Sequence, residues 1–138
     1  MITVRKQELV NINDVLHLYQ AVGWTNYTNQ PQMLEQALSH SLAIYLALDG
    51  DAVVGLVRLV GDGFSSIFVQ DLIVLPSYQR QGIGSDLMKE ALGDFKDAYQ
   101  VQLVTEQTEK TLGFYRSLGF ETLSTYDCTG MVWVDRKR

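Results

Sequence analysis

Leu72-Ile73-Val74-Leu75-Pro76-Ser77-Tyr78-Gln79-Arg80-Gln81-Gly82-Ile83-Gly84 runs from an apolar stretch, through a proline, to two glycines. The apolar stretch begins earlier, and Ile67–Leu75 reads as one strand that Pro76 ends, because proline cannot donate to a ladder. After Gly82 the apolar residues are Ile83, Leu87, Met88, Ala91, Leu92 and Phe95, spaced four, one, three, one and three apart. That spacing predicts an amphipathic helix from Gly82 to about Lys96. The first amides of a helix have no intrahelical partner, and glycine lets a ligand approach the backbone, so the turn suits a pyrophosphate. Two familiar phosphate loops are excluded by spacing. A dinucleotide fingerprint requires glycine where Leu87 stands, and a P-loop requires Gly-Lys-Ser/Thr where Gly84 is followed by Ser85-Asp86. On their own, two glycines at a helix start also make an ordinary turn.

Outward from this segment the chain alternates between the two periodicities. Ser41–Leu48 and Ala52–Val60 are apolar runs joined by Asp49-Gly50-Asp51, a hairpin signal, and Gly61-Asp62-Gly63 turns into the strand at Ile67. Upstream, Ile2 and Val4 suggest a first strand. Asn11 or Asn13 can cap a helix carrying Val15, Leu18, Tyr19 and Val22, which Gly23 ends. Pro31 fits the first position of a second helix with Met33, Leu34, Ala37 and Leu38 inward. Downstream, Val101–Thr105 reads as a short strand, and Thr108 caps a last helix holding Leu112, Tyr115 and Leu118, stopped by Gly119. Phe120–Leu123 and Cys128–Val134 read as two closing strands. The order β-α-α-β-β-β-α-β-α-β-β predicts an α/β fold, a mixed sheet with helices on both faces.

A chain of 138 residues fits one domain spanning 1–138. With 46% hydrophobic and 20% charged residues it is expected to fold and not to span a membrane, since its longest apolar stretches, such as Ala43–Leu48, fall far short of a bilayer. No secretory h-region follows Met1, and Cys128 is the only cysteine, so a reducing cytoplasm is the expected location. Net charge of −5 and a pI near 4.8 argue against a nucleic-acid surface. The basic run Arg136-Lys137-Arg138 reads as a solvated tail. His17, His40 and Cys128 show no metal-ligand spacing, and nothing resembles a nucleophile elbow. Cys128 reads as a core thiol.

Gln79-Arg80-Gln81-Gly82-Ile83-Gly84 is similar to the Gln/Arg-x-x-Gly-x-Gly/Ala pattern of the GNAT N-acetyltransferase superfamily, with Leu72–Tyr78 like the strand that precedes it. About thirty residues on, Phe114-Tyr115-Arg116-Ser117-Leu118-Gly119-Phe120 resembles the family's Phe-Tyr-x-x-x-Gly-Phe signature. The resemblance covers nearly the whole chain and implies the GNAT fold, with acetyl-coenzyme A as co-substrate and no metal. It implies that Leu72, Ile73 and Val74 offer backbone groups to the pantetheine arm. It also implies that Arg80, Gln81, Gly82, Ile83, Gly84 and Ser85 wrap the pyrophosphate. Many relatives carry a cofactor-contacting asparagine at the place of Thr108, which makes Thr108 a further cofactor-binding candidate, and some protein-acetylating relatives a glutamate base at the place of Leu103. The sequence departs from the family at both.

Acetyl transfer from a thioester requires a neutral amine and a proton for the leaving thiolate. The resemblance makes Tyr115 the proton donor. Asp71, a carboxylate inside an apolar strand, must be paired or face a cleft, which makes it a candidate base or amine-binding group as well as a structural partner. Asp62 reads first as a turn former, and Glu106 is a weaker candidate. In this fold the first two helices roof the acceptor, so Trp24 and Tyr27 in the polar stretch 23–29 either wall an amine-bearing ligand or staple the helices. Gly23-Trp24, Gly61-Asp62-Gly63-Phe64, Asp71 and Gly130-Met131-Val132-Trp133 also resemble plastid-type serotonin N-acetyltransferases, which points to an arylalkylamine or similar small amine. The alternatives are a lysine or N-terminal protein acetyltransferase and a coenzyme-A-binding protein without turnover. An exposed C-terminal strand pairing across a two-fold axis would make a homodimer.

Overall fold

Alternating apolar residues dictate a sheet covered on both faces. The computed structural model, which describes Met1–Val134, begins with β1 (Ile2–Lys6), α1 (Ile12–Ala21), α2 (Thr25–Thr28) and α3 (Pro31–Ser39). β2 (Ala43–Asp49) and β3 (Ala52–Gly61) form the expected hairpin, followed by β4 (Ser66–Val74), α4 (Ile83–Asp94), β5 (Gln100–Leu103) and α5 (Glu109–Ser117). The sheet order is β1-β2-β3-β4-β5, antiparallel except for the parallel β4–β5 pair that the α4 crossover permits. Ile44, Leu46 and Leu48 of β2 pack with Leu56 and Ile73 against Val15, Leu18 and Tyr19 of α1, Tyr27 of α2, and Leu34 and Leu38 of α3. On the opposite face, Leu87 of α4 meets the space above Gly55 and Ala47, and Tyr45 donates a 2.7 Å hydrogen bond to Asp94.

Three expectations are corrected. The stretch 23–29 is not a plain loop, because Thr25–Thr28 coils into the short α2. Phe120–Leu123 and Cys128–Val134 are not strands: the chain there runs as turns and irregular backbone. The Phe120 amide returns to the Tyr115 carbonyl, Leu123–Tyr126 forms a 3-10 turn, and the Cys128 amide bonds the Leu123 carbonyl. Met131–Val134 is exposed and takes no strand conformation. For the same reason Cys128 is not a core thiol; it is exposed, with its sulfur donating to the Tyr126 carbonyl at 3.4 Å. Arg136-Lys137-Arg138 lies outside the described residues.

The chain divides into two compact units, Met1–Leu103 and Val104–Arg138. The first holds the whole sheet and α1 to α4, and the second holds α5. Among the described residues no helix is long and apolar enough to cross a membrane.

Candidate active site

Within the first unit the glycine turn is a cradle of backbone amides. Pro76–Tyr78 makes one 3-10 turn, and the exposed residues 79–82 then lead into α4. Arg80 and Gly82 both take left-handed backbone angles, with φ of +66° and +82°. Gly82 is the residue before the helix, no side chain caps α4, and the first helical bond runs from the Asp86 amide to the Gly82 carbonyl. The amides of Ile83, Gly84 and Ser85 are therefore presented at the positive end of the helix dipole. Alternating left-handed turns beside a helix start form an anion-binding concavity.

The strand leading into this cradle has one edge open. β4 pairs with β3 as far as Val74 opposite Gly55, but its pairing with β5 stops at Val69 opposite Leu103. Gln70 is the extra residue of a bulge, since Leu59 pairs with Val69 and the next β3 residue, Arg58, pairs with Asp71. Among the described residues no strand pairs with the far edge of Leu72, Ile73 and Val74. The Val74 carbonyl accepts from Gln79 Nε2 at 3.1 Å, and the rest of that edge is left by the strands to an extended ligand, as the strand-and-turn pattern implies.

Asp71, immediately after the bulge, is paired. It is 2% exposed and its Oδ2 accepts from Arg58 Nε at 2.7 Å and from the Tyr19 hydroxyl at 2.8 Å. Its Oδ1 accepts from the Tyr27 hydroxyl at 3.1 Å. Arg58 also donates to the Tyr27 hydroxyl and to Ser41 Oγ, at 3.1 and 3.2 Å. Burial, and then the Asp71 charge, push the Tyr19 and Tyr27 phenols upward, so both remain donors. Burial opposes the Arg58 charge, but Asp71 outweighs it and leaves the guanidinium pKa raised. Trp24 is half-buried, with its ring centroid 6.1 and 6.3 Å from those of Tyr19 and Tyr27. The sequence shows Tyr19 only as part of the apolar side of the first helix and gives Arg58 no role. A lone arginine in one apolar strand and a lone aspartate in the next was the available signal.

Asp62 holds its turn by accepting from the Phe64, Ser65 and Ser66 amides and from Ser65 Oγ, which keeps its carboxyl well below the usual range.

In the second unit, Thr108 caps α5 by accepting from the Thr111 amide at 3.1 Å, so its hydroxyl serves the helix. Gly119, at φ of +100°, turns the chain so that Phe120 packs edge-on against Tyr115, 5.9 Å between centroids. Phe114 packs on its other neighbour side at 5.0 Å. Burial raises the Tyr115 pKa against a hydrogen bond with Thr105 that lowers it, so the hydroxyl holds its proton through neutral pH.

Known proteins resemble this chain along most of its length. Residues 40–122, more than half of the chain, match the family described as acetyltransferase (GNAT) domain. A solved structure, the GNAT-family acetyltransferase SP0256 from Streptococcus pneumoniae TIGR4, is 80% identical over 99% of this chain and 100% of its own, with a TM-score of 0.93. GCN5-related N-acetyltransferase 1, chloroplastic, from Arabidopsis thaliana is 29% identical over 97% of this chain and 68% of its own length. Serotonin N-acetyltransferase 2, chloroplastic, from Oryza sativa subsp. japonica is 30% identical over 80% of this chain; the chain spans 56% of that relative's length.

Proposed function

Since this chain belongs to the GNAT acetyltransferase family, we propose that it moves the acetyl group of acetyl-coenzyme A onto a small primary amine, with arylalkylamines the favoured class. Acetyl-coenzyme A supplies the activated thioester. Arg80 to Ser85 hold its pyrophosphate through the uncapped amides at the start of α4, and Leu72 to Val74 lend their open backbone edge to the pantetheine arm. The neutral amine attacks the thioester carbon and the C–S bond breaks; the Tyr115 hydroxyl, protonated at neutral pH, gives its proton to the departing thiolate, and the proton that the new amide nitrogen sheds to water restores the phenol. The segment from Trp24 to Tyr27 borders the acceptor. Its aromatic character supports an amine with an apolar body, as does the similarity over 80% of the chain to a protein named serotonin N-acetyltransferase.

The observation that carries the cofactor assignment is the pair of left-handed residues, Arg80 and Gly82, beside helix amides that no side chain caps. Gly84→Val puts a branched side chain on the first turn of α4, where the pyrophosphate approaches. Calorimetry with coenzyme A should show affinity weakened at least about tenfold, the scale of one charge-assisted contact. Unchanged affinity in a folded variant defeats the assignment. Thiol release on a panel of arylalkylamines, polyamines, aminoglycosides and lysine peptides tests the acceptor, and a preference for lysine peptides overturns the small-amine reading.

A further inference from the structure

We infer that Arg58 and Asp71 are positioning residues, a buried ion pair that fastens the helices beside the acceptor to the sheet at the β4 bulge. Asp71 is then an anchor and not the base. The inference rests on the reading that the segment from Trp24 to Tyr27 borders the acceptor. One network reaches all three helices: α1 through Tyr19, α2 through Tyr27, and the end of α3 through Ser41, whose hydroxyl donates to the Ala37 carbonyl at 2.7 Å.

α2 has only four residues and no side-chain cap, and its local hydrogen bonds, such as the Thr28 amide to the Trp24 carbonyl and the Asn29 amide to the Thr25 carbonyl, close the turn without tying it to the sheet. The Tyr27 hydroxyl supplies that tie, by donating to Asp71 and accepting from Arg58. A general base needs a carboxylate oxygen free to face the amine. Asp71 is 2% exposed with three donors across its two oxygens, and Arg58 is 4% exposed beside it. A proton taken by Asp71 would leave the Arg58 charge buried without its counter-ion, a state that proteins avoid.

Two variants test the anchor. Tyr19→Phe deletes one donor and keeps the ring, and Arg58→Met with Asp71→Leu replaces both charges by apolar groups, a change that buried pairs often tolerate. In each, the KM for the amine should rise about tenfold while kcat falls less than about threefold, and coenzyme A affinity should hold. Backbone amides of residues 25–30 should exchange with deuterium at least about tenfold faster than in the wild type. An unmoved amine KM and unmoved exchange in Tyr19→Phe overturn the anchor. So does a loss of kcat of about 10²-fold or more in a folded double variant with intact coenzyme A affinity, which is what deleting a base costs. If the wild type releases no thiol with any amine, the transferase reading fails, and the exchange measurement still decides the anchor.

Discussion

Tyr115 shows how a side chain acquires a chemical role from its surroundings. Its ring is held between Phe114 and Phe120, and burial keeps its hydroxyl protonated well into alkaline pH. The group is therefore an acid competent over the whole neutral range, and its contribution disappears only as pH climbs past the ordinary tyrosine value of about 10. Tyr115→Phe keeps the ring stack and removes the proton. Turnover should drop by about 10²–10⁴-fold with coenzyme A affinity unchanged, and the alkaline fall of kcat in the wild type should vanish in the variant. Steady-state kinetics between pH 6 and about 11 check this. Full turnover across that range would remove Tyr115 from the reaction.

Among the elements, α4 does two jobs at once. Its first turn offers amides to the cofactor, and its buried residues Ile83, Leu87, Met88 and Ala91 fix it on the sheet. The contact is close at Gly55, where an added Cβ would lie 3.1 Å from the Ile73 carbonyl oxygen, 3.2 Å from Leu87 Cδ1 and 3.4 Å from Ala47 Cβ. The carbonyl cannot yield without disturbing β4, so the helix must move. Gly55→Ala should destabilise the protein by about 1–3 kcal/mol, the usual cost of overpacking. Chemical denaturation measures it, and because α4 carries the cradle, coenzyme A affinity should fall in the same variant. A variant as stable as the wild type would mean that α4 rides on the sheet more loosely than these distances state.

At the scale of the molecule, order is concentrated in the middle of the sheet. β2 and β3 are buried over almost their whole length, whereas β1 and β5 are edge strands of five and four residues. Amides in the paired stretch Tyr45–Ala47 and Gly55–Val57 should exchange with solvent only through global unfolding. Amides of residues 104–107, which belong to neither helix nor strand, should exchange orders of magnitude faster. Deuterium exchange followed by mass spectrometry reads both. Uniform protection along the chain would contradict a stability gradient set by burial.

The sequence by itself determined the five strands of the sheet, the helices that Asn11, Pro31 and Thr108 start, and the place of the glycine turn. These follow from local rules, since period, cap and turn chemistry are each written within a few neighbouring residues. The closing strands were misread for a related reason. Met131-Val132-Trp133-Val134 has strand composition, but strand preference depends on the surroundings more than on the residues themselves, and the chain forms no strand there. The role of Asp71 belonged wholly to the tertiary structure. Its apolar flanks demanded a partner or a cleft, and the choice fell to partners 13, 44 and 52 residues away in the chain, Arg58, Tyr27 and Tyr19. A buried charge is satisfied by whatever the fold brings to it, and that meeting is decided only when α1, α2, β3 and β4 have come together.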